Sequence, residues 1–228
     1  MLLFSGTTMP NDISLTSQAT TGLRFQPYNP AWKRAFDMCF AIALLPLLGP
    51  VIALLWVLTK LQGGSGFFGH KRVGQNGKIF KCWKIRTMVP DAEARLAKYL
   101  SDDPNAQAEW DRDFKLTNDP RITRFGNFLR RTSLDELPQL WNVIKGEMSF
   151  VGPRPIIESE LQKYAEYKHA YLTLKPGVTG VWQVSGRNDV SYEERVAMDV
   201  GYHNTIGFWF DLQIIAKTAK AVLSRTGK

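Results

Sequence analysis

"MCFAIALLPLLGPVIALLWVL", residues 38–58, is a run of 21 residues without a charge. A straight helix of that length rises roughly 30 Å, about one hydrocarbon core, so length alone predicts a transmembrane helix. Pro46 and the Gly49-Pro50 pair lie near its middle. Proline there removes a backbone donor and clashes with the preceding turn, which predicts two pieces, each too short to span. Arg24, Lys33 and Arg34 precede the run, and Lys60, Lys71, Arg72, Lys78, Lys81, Lys84 and Arg86 follow it. Positive charge marks cytoplasmic flanks, and a helix that enters, bends at Gly49-Pro50 and returns keeps both clusters on one side. The expectation is therefore a re-entrant membrane anchor over residues 31–62, broken at Gly49 and Pro50. The alternatives are one span kinked at proline and a buried helical hairpin, the latter disfavoured because the run has no polar face.

Outward from the anchor, residues 1–22, "MLLFSGTTMPNDISLTSQATTG", carry no basic n-region and no sustained apolar core, so they make a poor signal peptide. A disordered leader is expected over 1–30. The 228 residues hold 29 Lys and Arg against 21 Asp and Glu, a formal charge of +8 that favours an anionic partner: nucleic acid, a phospholipid surface or a phosphorylated substrate. Cys39 and Cys82 form no CxxC and point to a reducing compartment, and the isolated His70, His169 and His203 lack the spacing of a zinc motif.

Past the joint "LQGGSG" (61–66), the stretch 67–88 alternates apolar and basic residues about a Gln75-Asn76-Gly77 turn, which predicts a β-hairpin. Its alternation puts Ile79, Lys81, Trp83 and Ile85 on one face and Phe80, Cys82, Lys84 and Arg86 on the other. Residues 90–116 read as helical with an interruption near Asp103-Pro104. Residues 118–155 are crowded with Arg121, Arg124, Arg130, Arg131 and Arg154; residues 175–203 begin as a Gly-punctuated loop and turn helical around 192–198. The closing "GFWFDLQIIAKTAKAVLSR" predicts an amphipathic helix, either at a membrane interface or packed on the core. The fold class expected is an α-rich α+β protein: the anchor, the small hairpin, and a cytoplasmic helical catalytic domain over 63–228 with amphipathic interfacial helices.

Among the arginines sits "SLDELP", residues 133–138. Ser133 and Glu136 have the spacing of a capping box, which would start the helix that follows. Asp135 is left over. In a first turn its ionised form is favoured by the helix dipole, and the exposed amides there also favour a phosphate. The two anions are compatible only if cations neutralise them, which the arginines or a Mg²⁺ held partly by Asp135 would do. A rival pair, Asp111 and Asp113 in "DRD", has the D-x-D form of metal-dependent glycosyltransferases, but its side chains diverge on a helix and no β/α nucleotide-binding half precedes it. Neither a Walker loop nor G-x-G-x-x-G occurs.

The segments "KRAFD" (33–37), "GHKRVGQNGKIFKCWKIRTM" (69–88), 118–155 with "SLDELPQLWNV" and "VGPRP", 175–203 with "SGRNDVSYEERV", and "DLQIIAKTAKAVL" (211–223) resemble the bacterial sugar transferase family, the monotopic polyprenyl-phosphate phosphoglycosyl transferases. The resemblance runs from about residue 30 to the end, and the chain looks like the family's minimal catalytic form. It implies transfer of a hexose-1-phosphate from a UDP-sugar to undecaprenyl phosphate at the cytoplasmic face of the inner membrane, with UMP released and Mg²⁺ as cofactor. The wording is most similar to ExoY-type exopolysaccharide enzymes, which implies galactose first and glucose second. By position, Asp135 resembles the nucleophile and metal ligand, and Glu136 its partner. The implied substrate-binding residues are Arg130, Arg154 and Pro155 of "PRP" and Arg187 of "SGRN", with Lys84 and Arg86 of the basic strand beside them. Gly49-Pro50 stands where relatives commonly have Ser-Pro. The partners implied are UDP-sugar, undecaprenyl phosphate and membrane lipid; nucleic acid is not among them, and a homo-oligomer stays open. Direct ternary-complex transfer, a basic membrane-tethered binding protein and a non-catalytic scaffold are the competing readings.

Overall fold

A computed structural model describes residues 29–113, 116–185 and 190–223. Leader residues 1–28, Arg24 among them, and Arg187 lie outside the described residues. Helix α1 (Pro30–Lys60) starts where the Asn29 side chain accepts from the Ala31 amide at 2.9 Å, with Pro30 in the first turn, where its missing donor costs nothing. It then runs through Pro46 and Pro50 as one helix, which corrects the expected break at Gly49-Pro50. Each proline removes one amide donor, yet the hydrogen bonds on either side keep the helix continuous.

Both ends of α1 are fastened to the rest of the chain. Near the start, Lys33 Nζ meets Asp211 Oδ2 at 2.5 Å, and the Arg34 guanidinium donates to the carbonyls of Val143 and Ile144 at 2.5 and 2.7 Å. One turn on, the buried Asp37 accepts through Oδ1 from Ser149 Oγ and the Phe150 amide, both at 3.0 Å. These are the charged residues of "KRAFD". Near the end, Leu55 packs on Ile85 and Leu129, and the Thr59 carbonyl accepts from Arg86 at 3.2 Å. Between the two attachments Ile42, Leu45, Leu47, Val51 and Leu54 are exposed.

Strands β1 (Phe67–Val73) and β2 (Ile79–Ile85) form the expected hairpin, antiparallel with Gly69 opposite Trp83 and with Asn76 and Gly77 at positive φ in the turn. The predicted alternation holds at its start, where Phe80 and Cys82 are buried while Ile79 and Lys81 are exposed. It fades beyond Cys82, because α1, α5 and the turn at 134–136 all pack on the strand. Helices α2 (Ala92–Asp102) and α3 (Pro104–Asp113) are divided at Asp103, as read, with the Asp103 carboxylate accepting from the Asn105 amide at 2.8 Å.

Next come α4 (Arg124–Thr132), α5 (Gln139–Lys145), β3 (Ser149–Val151), α6 (Glu158–Leu161), α7 (Lys168–Leu172), β4 (Gly177–Thr179), α8 (Val181–Ser185), α9 (Tyr192–Thr205) and α10 (Phe208–Leu223). The parallel β3–β4 pair was not anticipated; three residues are too few to show a period. Helix α10 packs one side on the core, with Asp211 and Ile214 buried, while Phe208, Trp209 and Leu212 are exposed. The main core joins Phe80 and Cys82 of β2, Leu140 and Val143 of α5, Phe150 and Val151 of β3, Tyr202 of α9 and Ile214 of α10 to Ala41 of the membrane-type helix.

Replacing Asp37 by Ala leaves a buried hydroxyl and a buried amide without their acceptor, and is expected to cost about 1–3 kcal/mol. Thermal unfolding in detergent checks this: Asp37→Ala should melt well below the parent, whereas Trp32→Ala, at a position 72% exposed, should melt with it.

Candidate active site

The turn at 133–138 is built differently from a capping box. Ser133 closes α4 in the left-handed region (φ 57°), its amide bonding to the carbonyls of Arg130 and Leu129. A residue that starts a helix needs extended backbone, and the Ser133 side chain makes no capping bond. The predicted Ser133–Glu136 box is thus corrected: one tight turn (Leu134–Glu136) follows, and α5 begins after Pro138. Glu136 is engaged elsewhere. Lys84, reaching across from β2, places Nζ 2.6 Å from Glu136 Oε1 and 3.8 Å from Asp135 Oδ2.

Helix α4 supplies a second cation. Thr123 caps it, accepting from the Gly126 amide at 2.8 Å, and Gly126 lies so close to the Thr87 backbone that no Cβ fits. That contact seats the helix on the chain just past β2, where Arg130 Nε donates to Thr87 Oγ1 at 2.9 Å. Asp135 thus faces Lys84 and Arg130 while only 7% exposed. Burial pushes its carboxyl up to about 6, with the neighbouring Glu136 charge adding to the rise and Lys84 and Arg130 opposing it. For Glu136 burial works upward too, but the Lys84 ion pair, with Arg154 and Arg72 behind it, holds the carboxyl below its ordinary value. Two adjacent carboxylates are in this way driven apart in acidity.

The pair opens on a cleft of about 1130 Å³ whose walls include Lys84, Arg86, Arg130 and Arg154. Six residues singled out from the sequence, Asp135 and Glu136 with these four cations, therefore meet at one place. Pro155 is buried and does not line the cleft. Arg86 lines it but also donates to the carbonyls of Thr59 and Gly63, tying down the end of α1. Asp111 of "DRD" is exposed on α3, accepts from Gln107 at 2.7 Å and lies outside the cleft.

Three residues escaped sequence reasoning. Arg72 joins the cleft from β1. The Trp182 ring meets two guanidinium groups, Arg154 at 5.5 Å and Arg195 at 4.6 Å from its centre. Asn142, fully buried, bonds β2 to α5: its Oδ1 accepts from the Trp83 amide at 3.0 Å and its Nδ2 donates to the Lys81 carbonyl at 2.7 Å. Only Arg72 left a signal, as part of the basic alternation in the hairpin. Among the described residues no group of three or more His, Cys, Asp or Glu side chains is poised around a metal. The Asp135–Glu136 pair offers hard oxygen donors, which suits Mg²⁺ held by one or two carboxylates with substrate phosphates and water completing the shell.

The cleft thus gathers four cations around two adjacent carboxylates, on a domain fastened to a long apolar helix. The model of the bacterial sugar transferase family matches residues 28–225, and the chain belongs to that family. It is 54% identical over 195 residues to the UDP-galactose-lipid carrier transferase of Erwinia amylovora, covering 86% of this chain and 41% of that protein. It is 52% identical, with the same coverage, to the undecaprenyl-phosphate galactose phosphotransferase of Salmonella typhimurium. It is also 47% identical over 221 residues to the exopolysaccharide production protein ExoY of Sinorhizobium fredii, covering 93% of this chain and 98% of that protein. The chain spans about two fifths of the length of the first two relatives.

A carboxyl raised by folding contributes stability below its unfolded value and loses it as pH rises through the folded one. Ionised Asp135 should therefore cost up to about 3 kcal/mol above pH 6. Asp135→Asn is expected to raise the melting temperature at pH 8, the gain shrinking by pH 4.5. A variant that melts lower than the parent at pH 8 would contradict the burial of this carboxylate.

Proposed function

We propose that the protein transfers a hexose-1-phosphate, galactose first and glucose second, from a UDP-sugar to undecaprenyl phosphate, releasing UMP, as the first membrane step of exopolysaccharide synthesis. The observation that carries this reading is the buried Asp135 beside Lys84, Glu136 and Arg130 in a cationic cleft. The names of the relatives support the acceptor and the sugar.

The reaction runs in two displacements. An Asp135 carboxylate oxygen attacks the sugar-bearing phosphorus of the donor; a P–O bond forms, the bridging P–O bond breaks, and UMP leaves with that electron pair. A phosphate oxygen of the acceptor then attacks the same phosphorus, and the Asp135 carboxylate departs, regenerated. Lys84 and Glu136 act through position. Their ion pair keeps a cation within 3.8 Å of the attacking carboxylate, so the anionic donor is met by positive charge. Arg130 and Arg154 offer forked donors to the phosphates. Bound Mg²⁺, held by Asp135 with Glu136 nearby, would offset charge on the diphosphate. The acceptor phosphate is ionised near neutral pH, so no base need activate it.

A monotopic anchor accounts for the way α1 is held. Residues 33–37 and 55–59 of α1 dock on elements that also touch one another, α5 and β2. A bilayer cannot lie between two ends fastened to one domain, whereas a helix dipping into one leaflet with its exposed Leu45, Leu47, Val51 and Leu54 satisfies both attachments. The basic residues on both flanks favour the cytoplasm for that face.

Detergent-solubilised protein given undecaprenyl phosphate and a panel of UDP-hexoses should release UMP, fastest with UDP-galactose or UDP-glucose; no release with any of them would sink the reading. In oriented membranes, single cysteines near Trp32 and Gln62 should label from the same side. Labelling from opposite sides would mean that the helix crosses.

A further inference from the structure

A second cavity, about 410 Å³, lies against the first. Leu45, Gly49 and Ile52, one face of α1, form one wall; Trp83, Leu140 and Trp141 stand opposite. Every residue lining it is apolar. The groove and the cleft share Leu140, and the chain passes from one to the other within the dyad turn: Glu136 and Leu137 line the cleft, Pro138 the groove. Its aromatic wall is pre-formed. The Trp83 ring lies across Gly69, where a Cβ would stand 3.1 Å from it, and the Trp83 backbone is held by Asn142.

A cationic cleft that borders an apolar groove across Leu140 is a site for an amphiphile with an anionic head. Only the acceptor must place its phosphate at Asp135 while its tail stays in the membrane. Resting on the proposed reaction, we infer that the groove binds the first isoprene units of the acceptor's polyprenyl chain. Flat aromatic walls suit a branched, unsaturated chain, and the α1 wall leads from the cleft, at Leu48, to the exposed apolar side of the helix. Chain recognition here would set the register of the phosphate against Asp135.

Gly49 offers a clean probe, since a Cβ built there meets nothing within 4 Å. A leucine at 49 grows into the groove, and in a helix interior it is a better residue than glycine. In detergent, Gly49→Leu and Trp141→Ala are compared with the parent using undecaprenyl phosphate and a phosphate bearing one isoprene unit. The parent should prefer the long chain, and either variant should lower that preference about tenfold or more, equivalent to losing burial of a few methylenes. The effect should fall on the KM for long acceptor and leave donor-dependent UMP release in the absence of acceptor unchanged. An unaltered long-to-short ratio in both variants would assign the groove to ordinary bilayer lipid and overturn the inference, with the reaction intact. A parent without turnover on any acceptor would instead remove the reaction itself.

Discussion

The side-chain amide of Asn142 holds β2 against α5, and the site depends on that register. Through one buried group the Trp83 amide and the Lys81 carbonyl are both paired on the helix that follows the dyad. Lys84, next along the strand, is thereby delivered to Glu136 and Asp135. An unsatisfied amide in that position would be costly in the core, so the strand cannot slip without losing both bonds, and a slip of one residue would turn Lys84 to the other face. Arg34 adds a second clasp on the same helix by capping the Val143 and Ile144 carbonyls. The long apolar helix and the Asp135–Glu136 turn are thus fixed to opposite ends of seven residues, Gln139–Lys145.

With the register set, electrostatics divides the labour within the dyad. Burial is the largest influence on both carboxyls: at Asp135 it leaves the group near 6, whereas at Glu136 the Lys84 contact, with Arg154 and Arg72, outweighs it and holds the carboxyl below its ordinary value. Separating the acidities of two neighbouring carboxyls gives them different roles. A carboxylate ionised at neutral pH at a desolvation cost is a better nucleophile than a well-solvated one. The fixed charge on Glu136 holds Lys84 in the cleft, where the diphosphate would sit.

Much of the architecture was legible because it rests on local chemistry. Gln75-Asn76-Gly77 announced the hairpin, and Asp103-Pro104 the division of α2 from α3. The crowded arginines around 133–138 marked the site, four of whose flagged cations line one cleft. What was hidden depends on partners distant in sequence. Nothing near Ser133 reveals that it ends one helix at positive φ rather than starting the next, or that Lys84, from another element, removes Glu136 from any cap. The uncharged run predicted an anchor, but proline chemistry over-predicted a break: a helix already held at both ends tolerates two missing donors. The β3–β4 pair, the Trp182 contacts and Asn142 are products of tertiary packing and carry no pattern in the chain.

The proposed reaction turns on the attack of Asp135 on phosphorus. Protein mixed with UDP-galactose or UDP-glucose alone, quenched in acid within milliseconds to seconds and read by intact-protein and peptide mass spectrometry, tests it most directly. The protein should gain one hexose phosphate, stoichiometric with UMP released and localised to Asp135. Full turnover with acceptor but no adduct with donor alone, or an adduct on Glu136, would contradict it.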